Sequence, residues 1–347
     1  MMEQLIGKNN VQIVNWLLTR KCNLRCDYCG IVRESDKNTG YSDLKYYEEN
    51  SMSPSYIIET LEKFKKYLPD CFHIFYGGEP LLYKSLDIVI KYCNDNNIYY
   101  TIITNNSIPI QPLIVKLLDS VGRLQGLTAS IDPIIYDPII TDESIDRREK
   151  SLAGLKNLIK LSSKVDDMVA EITIDKSNVS YIYPLVKRLS DHNIVSSITF
   201  VDNKKSELYD FSNVTSEDEL VNDSDELRIL CDKMINEGLL IHMGEDLLDR
   251  TLNILPSNLD CRLEDYIHNL TIDVDGSIRL CLRIKGMNTP KYSIIDYFEK
   301  FDEIYEVMII DKKKYCKLCN WTCPIISKLT FEENMTSELL HSEKRDI

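Results

Sequence analysis

The sequence predicts an α/β fold: six parallel strands with right-handed crossovers, open or curled into a partial barrel, followed by a small C-terminal subdomain. Three observations predict it. Between residues 11 and 202, short apolar runs alternate with amphipathic segments of about three turns, the pattern of repeated βα units. The segment 270–281 breaks that pattern: Leu270, Ile272 and Val274 alternate, an Asp275–Gly276 turn follows, and Ile278 and Leu280 resume the alternation. That is a hairpin, which has no place in a βα repeat. The length, 347 residues, suffices for a large α/β core with an appendage.

The expected strands are 13–19, 73–76, 99–104, 127–131, 169–174 and 197–200, and the expected helices 54–67, 86–94, 112–120, 150–161, 181–190 and 223–236. The first helix has the clearest start. Ser53 is a good N-cap, Pro54 suits the first helical position, and Ile57, Leu61 and Phe64 recur on one face. Polar, acidic stretches at 32–52 and 203–222 read as loops. The expected organisation is a core at 1–215, linking helices at 216–255, the hairpin subdomain at 256–329 and a frayed polar tail at 330–347. In either form of such a sheet, ligands bind at the carboxyl ends of the strands, so the residues after each strand carry the functional signal.

Composition narrows the partners. A net charge of −14 argues against wrapping nucleic acid through its phosphates and against an anionic membrane surface. No apolar run approaches the roughly 18 residues of a membrane span, and the stretch 11–18 lacks a basic n-region and a small-residue cleavage site. A soluble, cytoplasmic protein is expected. Eleven cysteines, an odd number, in a chain of this size point to metal or redox chemistry rather than disulfides. Eight of them form two groups, while Cys71, Cys93 and Cys231 sit in apolar or helical stretches as buried hydrophobes.

The first group, Cys22, Cys26 and Cys29, follows the first strand directly. Three thiolates at this spacing can hold three irons of a [4Fe–4S] cluster and leave the fourth iron open to a ligand. Structural zinc wants four closed ligands, and neither a histidine nor a fourth cysteine lies within the segment. The second group is Cys261, Cys281, Cys316, Cys319 and Cys323. Five thiols suffice for one cluster but not two, and a Cys-x2-Cys knuckle among them also describes a zinc ribbon.

The Cys22-x3-Cys26-x-Tyr28-Cys29 segment resembles the cluster motif of the radical S-adenosylmethionine (radical SAM) enzymes, and Gly77-Gly78-Glu79-Pro80 after the second strand is similar to that family's second motif. The resemblance covers about 11–202 and 256–325. It implies a partial (β/α)6 TIM-like barrel, an open iron chelated by the amino and carboxylate groups of SAM, and a 5′-deoxyadenosyl radical that removes hydrogen from the substrate. It also implies cofactor contacts at Tyr28, Gly77, Gly78 and Glu79. Thr104-Asn105-Asn106 looks like the family's Thr-Asn-Gly, and Ser130-Ile131-Asp132 like the segment that contacts the ribose and methionyl ends, with Pro133 replacing a glycine. Asn105, Ser130 and Asp132 are carried over as cofactor contacts on that basis. Arg147 or Arg148, ahead of the helix at 150–161, sits where the family keeps a carboxylate-binding arginine; Arg148 is the choice here. Thr173 and Asn178 resemble a Thr-x4-Asn stretch at strand five, and Glu171 points to the same end as either a ligand or a solvent-facing residue.

The second cysteine group resembles the twitch or truncated SPASM extension of these enzymes. That likeness implies one auxiliary [4Fe–4S] cluster on Cys261, Cys281, Cys316 and Cys319, with Cys323 alternate or spare, and an electron donor of flavodoxin or ferredoxin type. The expected reaction is a net oxidation or cross-link in a peptide or small metabolite. Two rivals remain at this stage: a radical SAM enzyme with a structural zinc second site, and a non-catalytic Fe–S interaction module. His242, His268 and Trp321 near the second group read as packing residues.

Overall fold

The computed structural model describes residues 11, 13–24, 26, 29, 49–109, 112, 113, 115, 124–138, 142–163, 168–174, 178–200, 224–241, 267, 269–280 and 291–315. Tyr28, all five cysteines of the second group, His242, His268, Trp321, the loop 203–222 and the tail lie outside the described residues. So does most of the helix expected at 112–120.

Strands β1 (Ile13–Leu17), β2 (Phe72–Tyr76), β3 (Tyr100–Thr104), β4 (Leu124–Ser130), β5 (Met168–Ile174) and β6 (Val195–Phe200) pair in parallel, in chain order. Helices α1 (Pro54–Tyr67), α2 (Leu86–Asp95), α3 (Asp142–Ser162), α4 (Ile182–Ser190) and α5 (Ser224–Asn236) follow β1, β2, β4, β5 and β6. Right-handed crossovers in a monotonic strand order place all helices on one face and curl the sheet away from them. The described sheet stays open, a partial barrel.

The helix-packed face is apolar. Trp16, Phe75, Ile102, Ala129, Ala170 and Ile198 are buried against Ile57, Leu61 and Phe64 of α1, Val89 of α2, Leu158 of α3 and Leu185 of α4. Each such large side chain contributes about 1.5–3 kcal/mol. Cys71, Cys93 and Cys231 belong to this core, as the sequence predicts. A polar pair at its centre is matched: the Trp16 indole N–H donates to His73 Nδ1 at 3.0 Å, and burial lowers the His73 pKa to about 3.

The N-cap at Ser53 is formed, its hydroxyl accepting from the Tyr56 amide. α3 begins eight residues earlier than expected, because 142–149 is charged and lacks the apolar spacing that marks a helix. Charged residues instead hold this turn, with Asp146 pairing with Lys150 at 2.7 Å one turn on. Arg147 and Arg148 therefore lie inside the helix, not ahead of it.

The hairpin is present as β7 (Asn269–Ile272) and β8 (Ile278–Arg279), antiparallel. Gly276 sits in its turn at φ +82°, where an added Cβ would meet the Tyr56 hydroxyl at 2.9 Å. Read alone, this hairpin opens a separate subdomain; in the fold β7 pairs in parallel with β1, so it continues the core sheet beyond its first strand. Helices α6 (Ile294–Glu299), started by a Ser293–Asp296 capping box, and α7 (Phe301–Tyr315) follow. Phe298 of α6 packs edge-on against Phe64 of α1 at 5.0 Å. Among the described residues, no helix is long and apolar enough to cross a membrane.

Candidate active site at the carboxyl edge of the sheet

The chain leaving β1 carries Cys22, Cys26 and Cys29, and it is laid directly on the chain leaving β2. Gly78 N–H donates to Thr19 O and Glu79 N–H to Lys21 O, both at 2.7 Å, continuing the strand pairing past the sheet. This contact leaves no room for side chains. A Cβ on Gly77 would stand 2.4 Å from Thr19 O, and one on Gly78 would stand 2.2 Å from Lys21 O and 2.8 Å from Arg20 O. The two glycines are thus required by the seat of the cysteine loop itself.

Glu79 extends the seat to β3. It is fully buried, and its Oε1 accepts from Thr104 Oγ1 at 2.6 Å and from the Leu81 amide at 3.0 Å, while Oε2 accepts from the Asn105 amide at 2.8 Å. Burial raises its pKa, opposed by these hydrogen bonds. Asn105 passes the link on, its Nδ2 donating to Asn23 Oδ1 at 2.9 Å and lying 3.8 Å from Cys22 Sγ. The Leu24 amide donates to the same sulfur at 3.3 Å. Asn106 takes the left-handed conformation, φ +53°, that the glycine of the related motif would take. Its amide reaches Gly154 O of α3, where a Cβ would lie 2.5 Å from Asn105 O.

On the other side, Asp132 caps the turn after β4 through the Ile134 amide and grips the Arg147 guanidinium through Nε at 2.6 Å and through Nη2. Arg148 turns away and donates to Ile135 O at 3.3 Å. The arginine beside the cysteine loop is Arg147, not the Arg148 chosen from sequence; with both residues in one helix, α3's phase decides between them. Lys150, next on α3, donates to Asn23 O.

A third tie binds the loop to the hairpin. Arg20 donates to both oxygens of Asp273, at 2.9 and 2.8 Å, and Arg279 Nε donates to Oδ2 at 2.6 Å. All three residues are buried. Arg20 lies two residues before Cys22 and Arg279 two before Cys281, so Asp273 connects the stems of both cysteine groups. Arg20, Asn23 and Asp273 have no local signature in sequence, since Arg20 and Asp273 lie 253 residues apart.

These features coincide with a match of residues 16–200 to the model of the Radical SAM superfamily. The chain belongs to the radical SAM superfamily. A curated relative, GTP 3′,8-cyclase of Staphylococcus aureus (strain JH9), is 25% identical over 226 residues; the chain spans 64% of the length of that relative, and the match covers 64% of this chain. Among solved structures, SuiB of Streptococcus suis bound to S-adenosylmethionine aligns with a TM-score of 0.63 at 16% identity, covering 88% of this chain and 69% of that one. Native anSMEcpe with bound AdoMet and the Cp18Cys peptide aligns with a TM-score of 0.59 at 14% identity, covering 88% and 82%. At these identities the two structures share the fold.

Radical SAM proteins bind a [4Fe–4S] cluster and SAM, and the chemistry of the loop fits that group. Burial pushes the Cys26 thiol up to about 12; Arg147 opposes the shift, and Cys29, Asp132 and Cys22 add to it. The three sulfurs thus share one electrostatic neighbourhood with one guanidinium. Such a thiol stays protonated at neutral pH until a metal displaces the proton. Among the described residues, no three His, Cys, Asp or Glu side chains converge on a single-ion position. A four-iron cube takes each thiolate at a different iron.

Ser130, the last residue of β4, lies on the face away from the helices and makes no described side-chain hydrogen bond. Glu171 lies beside it on β5, half-buried, its pKa raised by burial. Thr173 faces Thr199 of β6 at 3.4 Å, and the Asn178 amide folds back onto Thr173 O at 3.1 Å.

Proposed function

We propose that this chain reductively cleaves SAM and uses the resulting 5′-deoxyadenosyl radical to oxidise or cross-link a peptide. The observation that carries it is the seating of Cys22, Cys26 and Cys29 on the Gly77-Gly78-Glu79 turn at the exits of β1 and β2. When bound, the cluster and SAM supply a one-electron bond cleavage and hydrogen abstraction. The chain's own residues have other tasks. Cys22, Cys26 and Cys29 hold three irons. Glu79 and Asn105 fix the loop, so their part is positioning rather than direct contact with cofactor. Arg147, held by Asp132, places a cation beside Cys26 for a carboxylate, and Ser130 and Tyr28 offer a hydroxyl and an aromatic ring to the nucleoside.

The finer reading includes an auxiliary [4Fe–4S] cluster on Cys261, Cys281, Cys316 and Cys319, with Cys323 as alternate, in the segment 256–329, whose hairpin extends the sheet of the 1–215 core and which follows the connection 216–255. It also includes an electron donor of flavodoxin or ferredoxin type in a reducing cytoplasm. The connection of Arg279 to Arg20 through Asp273 supports a second site that works with the first. Support for a peptide substrate comes from the fold shared with SuiB, which was also solved with its precursor peptide SuiA. A nucleotide is the second reading, favoured by the match to GTP 3′,8-cyclase.

The test is anaerobic reconstitution followed by iron, sulfide and 5′-deoxyadenosine measurement. About eight irons per chain are expected with both clusters in place, against about four plus one zinc for the rival second site. With Cys22, Cys26 and Cys29 all replaced by alanine, deoxyadenosine should vanish while the chain stays folded; formation at the wild-type rate would falsify the assignment.

A further inference from the structure

Glu171 differs from the buried acids Glu79, Asp132 and Asp273. Glu79 accepts from three donors, Asp132 holds Arg147, and Asp273 holds Arg20 and Arg279. The Glu171 side chain has no hydrogen bond or ion pair with any described residue. Its position is fixed by the sheet. Met168, Ala170, Ile172 and Ile174 of β5 are buried in the helix-packed core, so Val169, Glu171 and Thr173 face the inner side of the partial barrel. Register sets Glu171 between Ser130 of β4 and Ser197 of β6, and the Ile131 amide donates to its carbonyl at 2.9 Å. One strand spacing, about 4.8 Å, therefore separates it from the Ser130-Ile131-Asp132 segment proposed to hold SAM.

A carboxylate left half-buried without a cation costs free energy that a well-folded barrel could avoid with a threonine, the residue type found two positions on in both β5 and β6. Such groups concentrate where a ligand completes them. The surroundings indicate which ligand. Ser130 and Ser197 flank the carboxylate with neutral hydroxyls, and the chain as a whole carries −14. That net charge favours a cationic partner over a nucleoside triphosphate.

We propose that Glu171 is the substrate-recognising group of the inner face, and that it takes the ammonium or guanidinium of a basic peptide side chain. This rests on the radical SAM reading above and deepens it, since it selects the peptide over the nucleotide. The Ser197 hydroxyl beside it supplies a further acceptor for a multiply protonated nitrogen. A triphosphate in the same place would set negative charge against an unneutralised carboxylate in a poorly solvated wall.

The experiment uses the full-length, anaerobically reconstituted protein with SAM and three probes: a lysine-rich peptide, the same peptide with glutamate at the lysine positions, and GTP. Calorimetry should show the lysine peptide binding at least about tenfold tighter than the glutamate peptide, with no saturable GTP binding. In Glu171→Gln that preference should fall about tenfold, the usual loss when a charged acceptor is made neutral, and Glu171→Lys should reverse it. Iron content and melting temperature report folding in both variants. Saturable binding of GTP, absence of lysine-peptide binding, or an unchanged preference in a folded Glu171→Gln overturns the proposal. Reductive SAM cleavage by the wild type, assayed in parallel, tests the underlying radical SAM reading separately.

Discussion

The exits of β1–β3 and the Glu171–Ser197 positions on the inner face of β5 and β6 treat their polar groups in opposite ways. At the first, carbonyls, amides and carboxylates are matched to one another: Thr19 and Lys21 with Gly78 and Glu79, Glu79 with Thr104 and Asn105, Asn105 with Asn23. At the second, Glu171 and Ser197 stand side by side with no side-chain partner among the described residues. A region that satisfies itself is a rigid frame, while one that does not is completed by something else. The contrast assigns cofactor seating to one half of the barrel rim and substrate contact to the other.

The largest effect expected is at Asp273. Replacing it with asparagine removes the carboxylate that the two buried guanidiniums share, a loss of about 3–5 kcal/mol. Chemical denaturation should show it, together with poorer iron loading, because Arg20 would release the stem of the cysteine loop. A loss under about 1 kcal/mol would mean that the triad is solvated and that the two cysteine groups are uncoupled.

Glu79→Ala comes next. Thr104, Leu81 and Asn105 would lose their acceptor; the half-buried Leu81 amide can turn to water, and the two buried donors, on Thr104 and Asn105, cost about 1–3 kcal/mol each when unmatched, so about 3 kcal/mol is expected. Glu79→Gln should recover part of this, since one oxygen remains. Equal stability of wild type and Glu79→Ala would remove the frame from the comparison.

Glu171 should behave in the reverse sense. Because burial raises its pKa, the native state binds the proton more tightly than the unfolded chain. The penalty is therefore absent below the ordinary carboxylate range and grows as pH rises from that range towards the raised native value. Glu171→Gln should match wild-type stability in acid and exceed it at neutral pH. If the variant is instead less stable at neutral pH, the carboxylate has a partner and the two halves do not differ.

Much of the frame is legible in sequence because its signals are local. The cysteine spacing, the two glycines after a strand, the Asn105–Asn106 turn and the Ser53 cap each need only a few neighbouring residues, and each is found in place. Pairings set by long-range register are not legible. β7 joins β1 across more than two-thirds of the chain, Asp273 meets Arg20, and the phase of α3, not its composition, turns Arg147 rather than Arg148 towards Asp132. The role of the glycines also changes with the structure. To the approach of SAM that the resemblance implies, the fold adds backbone oxygens of 19–21 where a Cβ would stand. Glu171 is legible as a residue at the active end of strand five, but only register shows its neighbours to be hydroxyls.

The division between frame and substrate face is tested most directly by the EPR signal of the reduced first cluster and its response to SAM, compared between Gly78→Val and Glu171→Gln. A valine side chain at position 78 must displace the Arg20–Lys21 backbone, so the SAM-responsive signal should be lost with that variant and retained at full intensity in Glu171→Gln. A Gly78→Val protein that keeps the signal, or a Glu171→Gln protein that loses it, would contradict the account.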